Sequence, residues 1–80
     1  MPNDMHTALL GEIRAEMGRR QVTKVSVARA TDSDPATVGR WLSGKTAPRL
    51  DTLLTICSLL DITLEELARR AEANAQDGAA

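Results

Sequence analysis

The stretch "SDPATVGRWLSGKTAP", residues 33–48, holds the clearest start and stop signals for a helix in this chain. Asp34 can accept hydrogen bonds from backbone donors that lack a partner in a first helical turn. Pro35 suits the position after it, because proline has no backbone donor of its own. Gly44 suits the left-handed conformation that ends many helices. The stretch therefore predicts a short helix over residues 35–42.

The apolar side chains of this short helix share one side. Val38, Trp41 and Leu42 recur at helical spacing and are predicted to face the core. Trp41 is the single aromatic residue of the chain. We expect it to pack in the core rather than to stack on a nucleobase, because its apolar neighbours mark its side as the inner one. Arg40 then lies on the outer side.

Apolar periodicity on both sides of this stretch predicts four further helices. The first covers residues 6–20, and the second follows an N-cap at Thr23. The other two helices cover the leucine-rich sequence after Pro48. The side chains predicted to face the core are Leu9, Ile13 and Met17, flanked by Leu10; Val27 and Ala28, with Val25 as a further candidate; Leu50, Leu53, Leu54, Cys57 and Leu60, with Ile56 as a further candidate; and Leu64, Leu67 and Ala71.

Two connections have recognisable chemistry. The segment "TDSD", residues 31–34, has no glycine, so Asp32 or Ser33 must adopt the turn conformation. Thr63 and Glu66 have the spacing of a capping box, in which each side chain binds the other's backbone donor.

Length and composition exclude several classes of protein. A chain of 80 residues builds one domain with a modest core, which we place at residues 1–73, with a disordered tail at 74–80. One cysteine, Cys57, and one histidine, His6, form neither a disulfide nor a metal-ligand set. We expect no metal, no cofactor and no enzymatic activity. Without a signal peptide or an apolar membrane span, we expect a cytoplasmic protein.

Charge is distributed unevenly along the chain. The net charge is only −1, but residues 13–50 carry eight basic and three acidic side chains. Residues 51–80 carry six acidic and two basic side chains. Such an asymmetry would attract the middle of the chain to phosphates and orient the domain on them.

From about Thr23 to Leu67 the chain resembles the phage-repressor and Cro-type (XRE-like) helix-turn-helix family. The matching elements occur in the family's order: the inward Ala28, "TDSD", "PATVGRW", "GKTAP" and "LDTLLTICSLLDITLEEL". The resemblance implies an all-α, five-helix, lambda-repressor-like domain that inserts helix 35–42 into the major groove of double-stranded DNA. It also implies a sequence-specific transcriptional repressor of phage or prophage type, acting as a homodimer on a pseudo-palindromic operator.

The resemblance also implies roles for individual residues. Base edges would be read by Pro35, Ala36, Thr37 and Arg40. Phosphates would be bound by Thr23, Lys24, Lys45, Thr46, Arg19 and Arg20. The dimer interface would include Ile62 and Leu64.

The departures from the family leave two alternative functions open. Pro35, Ala36 and Gly39 occupy places where family members often carry polar base-reading side chains. A protein-interaction module that kept the fold and lost base reading is one alternative, since a fold does not fix a function. An antitoxin that binds both DNA and a toxin is the other. A steep decline of DNA affinity with salt would favour a DNA-binding function over the interaction module.

Overall fold

The computed structural model describes the backbone of residues 4–79 and the side chains of residues 5–74. Every regular element in that part of the chain is a helix, which confirms the all-α fold class. The first helix ends at Arg20, as predicted. The helices are α1 (Asp4–Arg20), α2 (Lys24–Thr31), α3 (Pro35–Leu42), α4 (Leu50–Leu59) and α5 (Leu64–Ala79).

The five helices enclose one apolar core. Helix α1 packs against α3 and α5, and α2 packs against α3 and α4. The core therefore lies among these helices, and α3 packs against α1 on one side and α2 on the other. The most deeply buried large side chains are Ile13, Val27, Val38, Ile56, Leu60 and Leu67.

Four of the helices end in the same way, with a residue in the left-handed region. After α2, Asp32 has φ 55°, and after α3, Gly44 has φ 83°, as the sequence predicts. Gln21 and Asp61 take the same conformation after α1 and α4. In each case the next amide bonds back to a carbonyl five residues earlier, as in Lys45 to Arg40 at 3.0 Å. These are Schellman motifs, three of them without glycine.

The predicted N-caps are confirmed. Thr23 accepts a hydrogen bond from the amide of Ser26 at 3.1 Å. Thr63 likewise accepts one from the amide of Glu66 at 3.0 Å. The capping box also predicts that the carboxylate of Glu66 accepts from the amide of Thr63. That carboxylate binds Arg70 at 2.9 Å instead.

Three side chains predicted to be buried lie at the surface. Val25, Leu50 and Leu54 are 50%, 64% and 47% exposed. On α4 the buried residues are Ile56 and Cys57, and Leu53 packs against the core from one side, whereas Leu50 in the same first turn is mostly exposed. A pattern with leucine on several sides of a helix does not specify which of them a small core can cover.

A polar seam joins α1 to α5. Glu16 is only 5% exposed, and its carboxylate binds Arg70 of α5 at 3.0 Å. One turn away, Asn74 donates to the carboxylate of Glu12. These contacts hold α5 on α1 up to the last side chain that the structure describes. The division of the chain at residue 73 stays a prediction.

Candidate nucleic-acid interface

Helix α3 presents one face to solvent and buries the other. Asp34 caps it by accepting from the amide of Thr37 at 2.8 Å, and Pro35 occupies the first turn. Pro35, Ala36 and Arg40 are exposed, and Thr37 is half-buried. All four predicted base-reading residues therefore lie near one another on this short helix.

The opposite face of α3 anchors it in the core. Val38 and Leu42 are buried, and Trp41 is only 8% exposed. The expectation that Trp41 packs in the core is thus confirmed. Because a rigid core sets the position of Trp41, it also sets how far Arg40, the next residue back, projects from the domain.

The start of α2 lies beside the middle of α3. Lys24 is exposed, and its ammonium group would lie 3.8 Å from a Cβ atom placed on Gly39. Thr23 caps the same helix end, whose amides favour an anion. The two residues predicted to bind phosphate on α2 are therefore adjacent to the exposed face of α3.

Arg14 joins this site, although sequence reasoning gave it no role. Its guanidinium donates a hydrogen bond to the carbonyl of Leu42, at the end of α3. With Lys24, Gly39 and Ser43 it lines a shallow cleft between α1, α2 and α3. The contact spans 28 residues of sequence, so no local pattern announces it. The nearest signal is general: a cation is favoured at a helix C-terminus.

The loop after α3 brings two further predicted residues to the surface. Lys45 and Thr46 are exposed, and both their amides bond to the carbonyl of Arg40, at 3.0 and 3.3 Å. These bonds tie the loop to the last turn of α3. The ammonium of Lys45 therefore belongs to a segment attached to the same helix as the predicted base readers.

Arg19 and Arg20 have a structural partner. Both guanidinium groups bind the carboxylate of Glu16, at 3.0 and 2.6 Å. The hydrogen bond from Arg20, with those from Arg19 and Arg70, lowers the pKa of Glu16 to about 2 against the effect of burial. The structure thus places these two arginines in the polar seam between α1 and α5.

The polar groups of α3 bind one another. Arg40 donates from Nη2 to the hydroxyl oxygen of Thr37 at 3.0 Å. The pKa of Asp34 is lowered, first by the hydrogen bond from the amide of Thr37 and then by the bond from its hydroxyl. The charge of Arg40 acts in the same direction. Residues 34, 37 and 40 thus form a chain of contacts along the exposed side of the helix.

Ile62 and Leu64, the predicted dimer residues, are half-buried and pack against the core of the same chain. Ile62 lies in the turn between α4 and α5, and Leu64 is the first residue of α5. The buried thiol of Cys57 has its pKa raised by desolvation, which suits a structural residue. Among the residues that the structure describes, no cluster of metal ligands and no helix able to cross a membrane is found.

Comparison with known proteins identifies the fold directly. A family model described as "Cro/C1-type HTH DNA-binding domain" matches residues 12–72. Searches of curated proteins and of solved structures found no match to the chain. The match covers α1 from residue 12 onward, all of α2, α3 and α4, and α5 as far as residue 72. The chain therefore belongs to the Cro/C1-type HTH DNA-binding domain family.

Proposed function

We propose that this protein is a sequence-specific regulator of transcription that places α3 in the major groove of double-stranded DNA. One observation carries the proposal. Pro35, Ala36 and Arg40 are exposed on a helix whose other face is buried, and cations from α1, α2 and the following loop flank it. An exposed recognition helix with basic neighbours is what major-groove binding requires.

Base reading would rest mainly on Arg40. A guanidinium can donate two parallel hydrogen bonds to the edge of a guanine. Pro35 and Ala36 offer apolar contacts, such as those made with a thymine methyl group. Thr37 is half-buried and its hydroxyl already accepts a hydrogen bond from Arg40. The helix therefore reads few base pairs per protomer.

Phosphate binding would fix the position of α3 in the groove. Lys24 and Arg14 project from two helices into one cleft, and Lys45 projects from the loop beyond α3. Thr23 and Thr46 add neutral donors at these two places. Arg19 and Arg20 form at most a flank of this surface, because Glu16 holds their guanidinium groups.

Few contacts per protomer favour a homodimer on a pseudo-palindromic operator, with half-sites about one helical turn apart. We propose repression of phage or prophage type, in the cytoplasm where the DNA lies, with Ile62 and Leu64 at the subunit interface. Sedimentation velocity tests the dimer. A monomer at every concentration that supports operator binding would contradict it.

The decisive experiment selects binding sites from random DNA with the purified protein and then titrates salt. We expect an enriched motif and a logarithmic affinity that falls with logarithmic salt by about 0.9 per phosphate neutralised. Lys24→Ala should weaken cognate and random DNA alike and reduce this slope by about 1. No enriched motif, together with a flat salt dependence, would exclude the proposed function.

A second candidate is a protein-interaction module of the same fold. It is favoured by the outward face of α3, where Pro35, Ala36 and Gly39 offer no side-chain hydrogen bond. Such a module would bind DNA weakly or not at all. DNA would therefore not compete with its protein target for the surface around Lys24. The flat salt dependence just described is the result that would favour it. An antitoxin would instead retain DNA binding and gain a second protein partner.

A further inference from the structure

The N-cap Asp34 and the α3 residues Thr37 and Arg40 are spaced three apart, so they follow one side of the helix. Arg40 donates to the hydroxyl oxygen of Thr37 at 3.0 Å. Asp34 accepts from the amide of Thr37 at 2.8 Å. Thr37 thus lies between the carboxylate and the guanidinium and contacts both.

The hydroxyl of Thr37 already has a protein partner. A hydroxyl group has one donor and two acceptor lone pairs, and here one lone pair accepts from Arg40. Thr37 is half-buried, and its backbone amide is bound to Asp34. As the helix is arranged in the free protein, the exposed Arg40 is therefore better placed than Thr37 to read a base.

The bond to Thr37 restrains the side chain of Arg40. An arginine side chain has large rotamer freedom, and fixing it on DNA carries an entropic penalty. The bond to Thr37 occupies one of the five N–H donors of the guanidinium and leaves the others free. The side chain is thus held along α3 before DNA arrives, with donors still available.

We propose that Thr37 is a positioning residue: oriented by Asp34, its hydroxyl holds the guanidinium of Arg40 ready to read a base pair that Thr37 itself does not contact. The inference rests on the proposed function, because it concerns how that function achieves base preference. It replaces the base-reading role that the sequence suggested for Thr37.

The first test needs no DNA. Nitrogen-15 relaxation of the Arg40 Nε–H group is measured in the wild-type protein, in Thr37→Val and in Thr37→Ser. We expect a restrained Arg40 in the wild type and in Thr37→Ser, and a mobile one in Thr37→Val. Valine keeps the shape of threonine and leaves the capping amide intact, so the fold should be retained. Equal mobility in all three proteins would overturn the proposal, whatever the protein binds.

The second test is a double-mutant cycle on DNA, using the site that the wild-type protein selects. Thr37→Val should lower the preference at the base pair read by Arg40 about fivefold, the effect of one net hydrogen bond. Thr37→Ser should restore it. In an Arg40→Ala background, Thr37→Val should change nothing further, because its effect passes through Arg40.

Failure of this inference differs from failure of the proposed function. If the double variant loses an additional preference at another base pair, Thr37 reads that base directly and the positioning role is wrong. If the wild type restrains Arg40 but selects no DNA motif, the proposed function fails, and with it any role of the restraint in base preference. Loss of the preference in Thr37→Ser as well would also contradict the proposal.

Discussion

The seam between α1 and α5 and the face built from α2 and α3 both carry basic side chains, but these have different partners. In the seam, Arg19, Arg20 and Arg70 all bind the carboxylate of Glu16. On the other face, Lys24, Arg40 and Lys45 form no salt bridge with any carboxylate whose side chain the structure describes. One region pairs its cations with a carboxylate, whereas the cations of the other bind neutral groups or face solvent.

This difference explains why charge totals are a poor guide to this protein. The net charge of −1 suggests no affinity for a polyanion. The excess of basic side chains over residues 13–50 suggests instead that a large part of the surface could bind one. Because Glu16 holds two of those arginines, the cations available to phosphate are fewer and more localised than the count implies. The following predictions test the contrast.

The largest effect is expected beneath the binding face. Trp41→Ala should destabilise the domain by about 3–5 kcal/mol, because it truncates a large side chain buried under α3. In a domain of this size such a loss should leave the chain largely unfolded, as judged by circular dichroism and urea titration. Trp41→Phe is the control and should lose much less. A folded Trp41→Ala protein with normal stability would show that α3 is not anchored as described.

Arg40→Ala should weaken binding to the selected site by about 1–3 kcal/mol and remove the preference at one base pair. Arg19→Ala is the matched control from the seam, and it should leave base preference unchanged while lowering thermal stability. Fluorescence anisotropy on cognate and single-substitution duplexes measures both. If the two variants lose affinity equally on cognate and random DNA, the distinction between the two regions is wrong and Arg40 is a phosphate contact.

Acid should weaken the seam. The pKa of Glu16 is about 2 in the folded protein against an ordinary value of 4.5. Its stabilising contribution is therefore complete above pH 4.5 and is lost as the pH falls towards 2. Glu16→Gln should melt at a lower temperature than the wild type at pH 7, and the two melting temperatures should converge as pH 2 is approached. A constant difference across that range would contradict the assignment.

The smallest effects concern helix ends. Gln21 and Asp32 have φ near 55°, a conformation that glycine adopts without strain. Gln21→Gly and Asp32→Gly should each stabilise the domain by about 1 kcal/mol in urea titration. Only Asp32→Gly should also strengthen DNA binding slightly, because it removes a negative charge from the turn that leads into α3. Gln21→Ala is the control and should give no gain.

Much of the fold could be predicted because the signals are local. Thr23 and Asp34 accept hydrogen bonds from amides of the helices that they cap, and Pro35 suits the first turn of α3. Spacing alone therefore identifies these helix starts. Burial was harder, since Leu50 and Leu54 fit a helical pattern as well as Leu60 does. Periodicity does not measure how much core surface exists to cover a side chain. The left-handed Gln21 was also missed, because its conformation comes from the chain reversal after α1 rather than from its own preference.

The candidate site divides in the same way. Arg40, Lys24 and Lys45 were found through the motifs around α3, and their roles stay predictions until they are tested. Arg14 was missed, because its contact with the end of α3 depends on how two separate helices dock. Arg19 and Arg20 pair with Glu16 inside α1, at spacings of three and four residues that the sequence itself carries. Only the docking of α5 brings Arg70 to the same carboxylate.

By itself the sequence determined the bounds of α3 and the starts of α2 and α5, since their caps and turns are satisfied by groups a few residues apart. It also determined that α3 has one apolar side. Only the tertiary structure decided that Arg70 joins Arg19 and Arg20 on Glu16, and that Arg14 lies at the end of α3. The pairing of Arg70 with Glu16 spans 54 residues, and such contacts exist only once the helices have packed and brought distant charges to bonding distance.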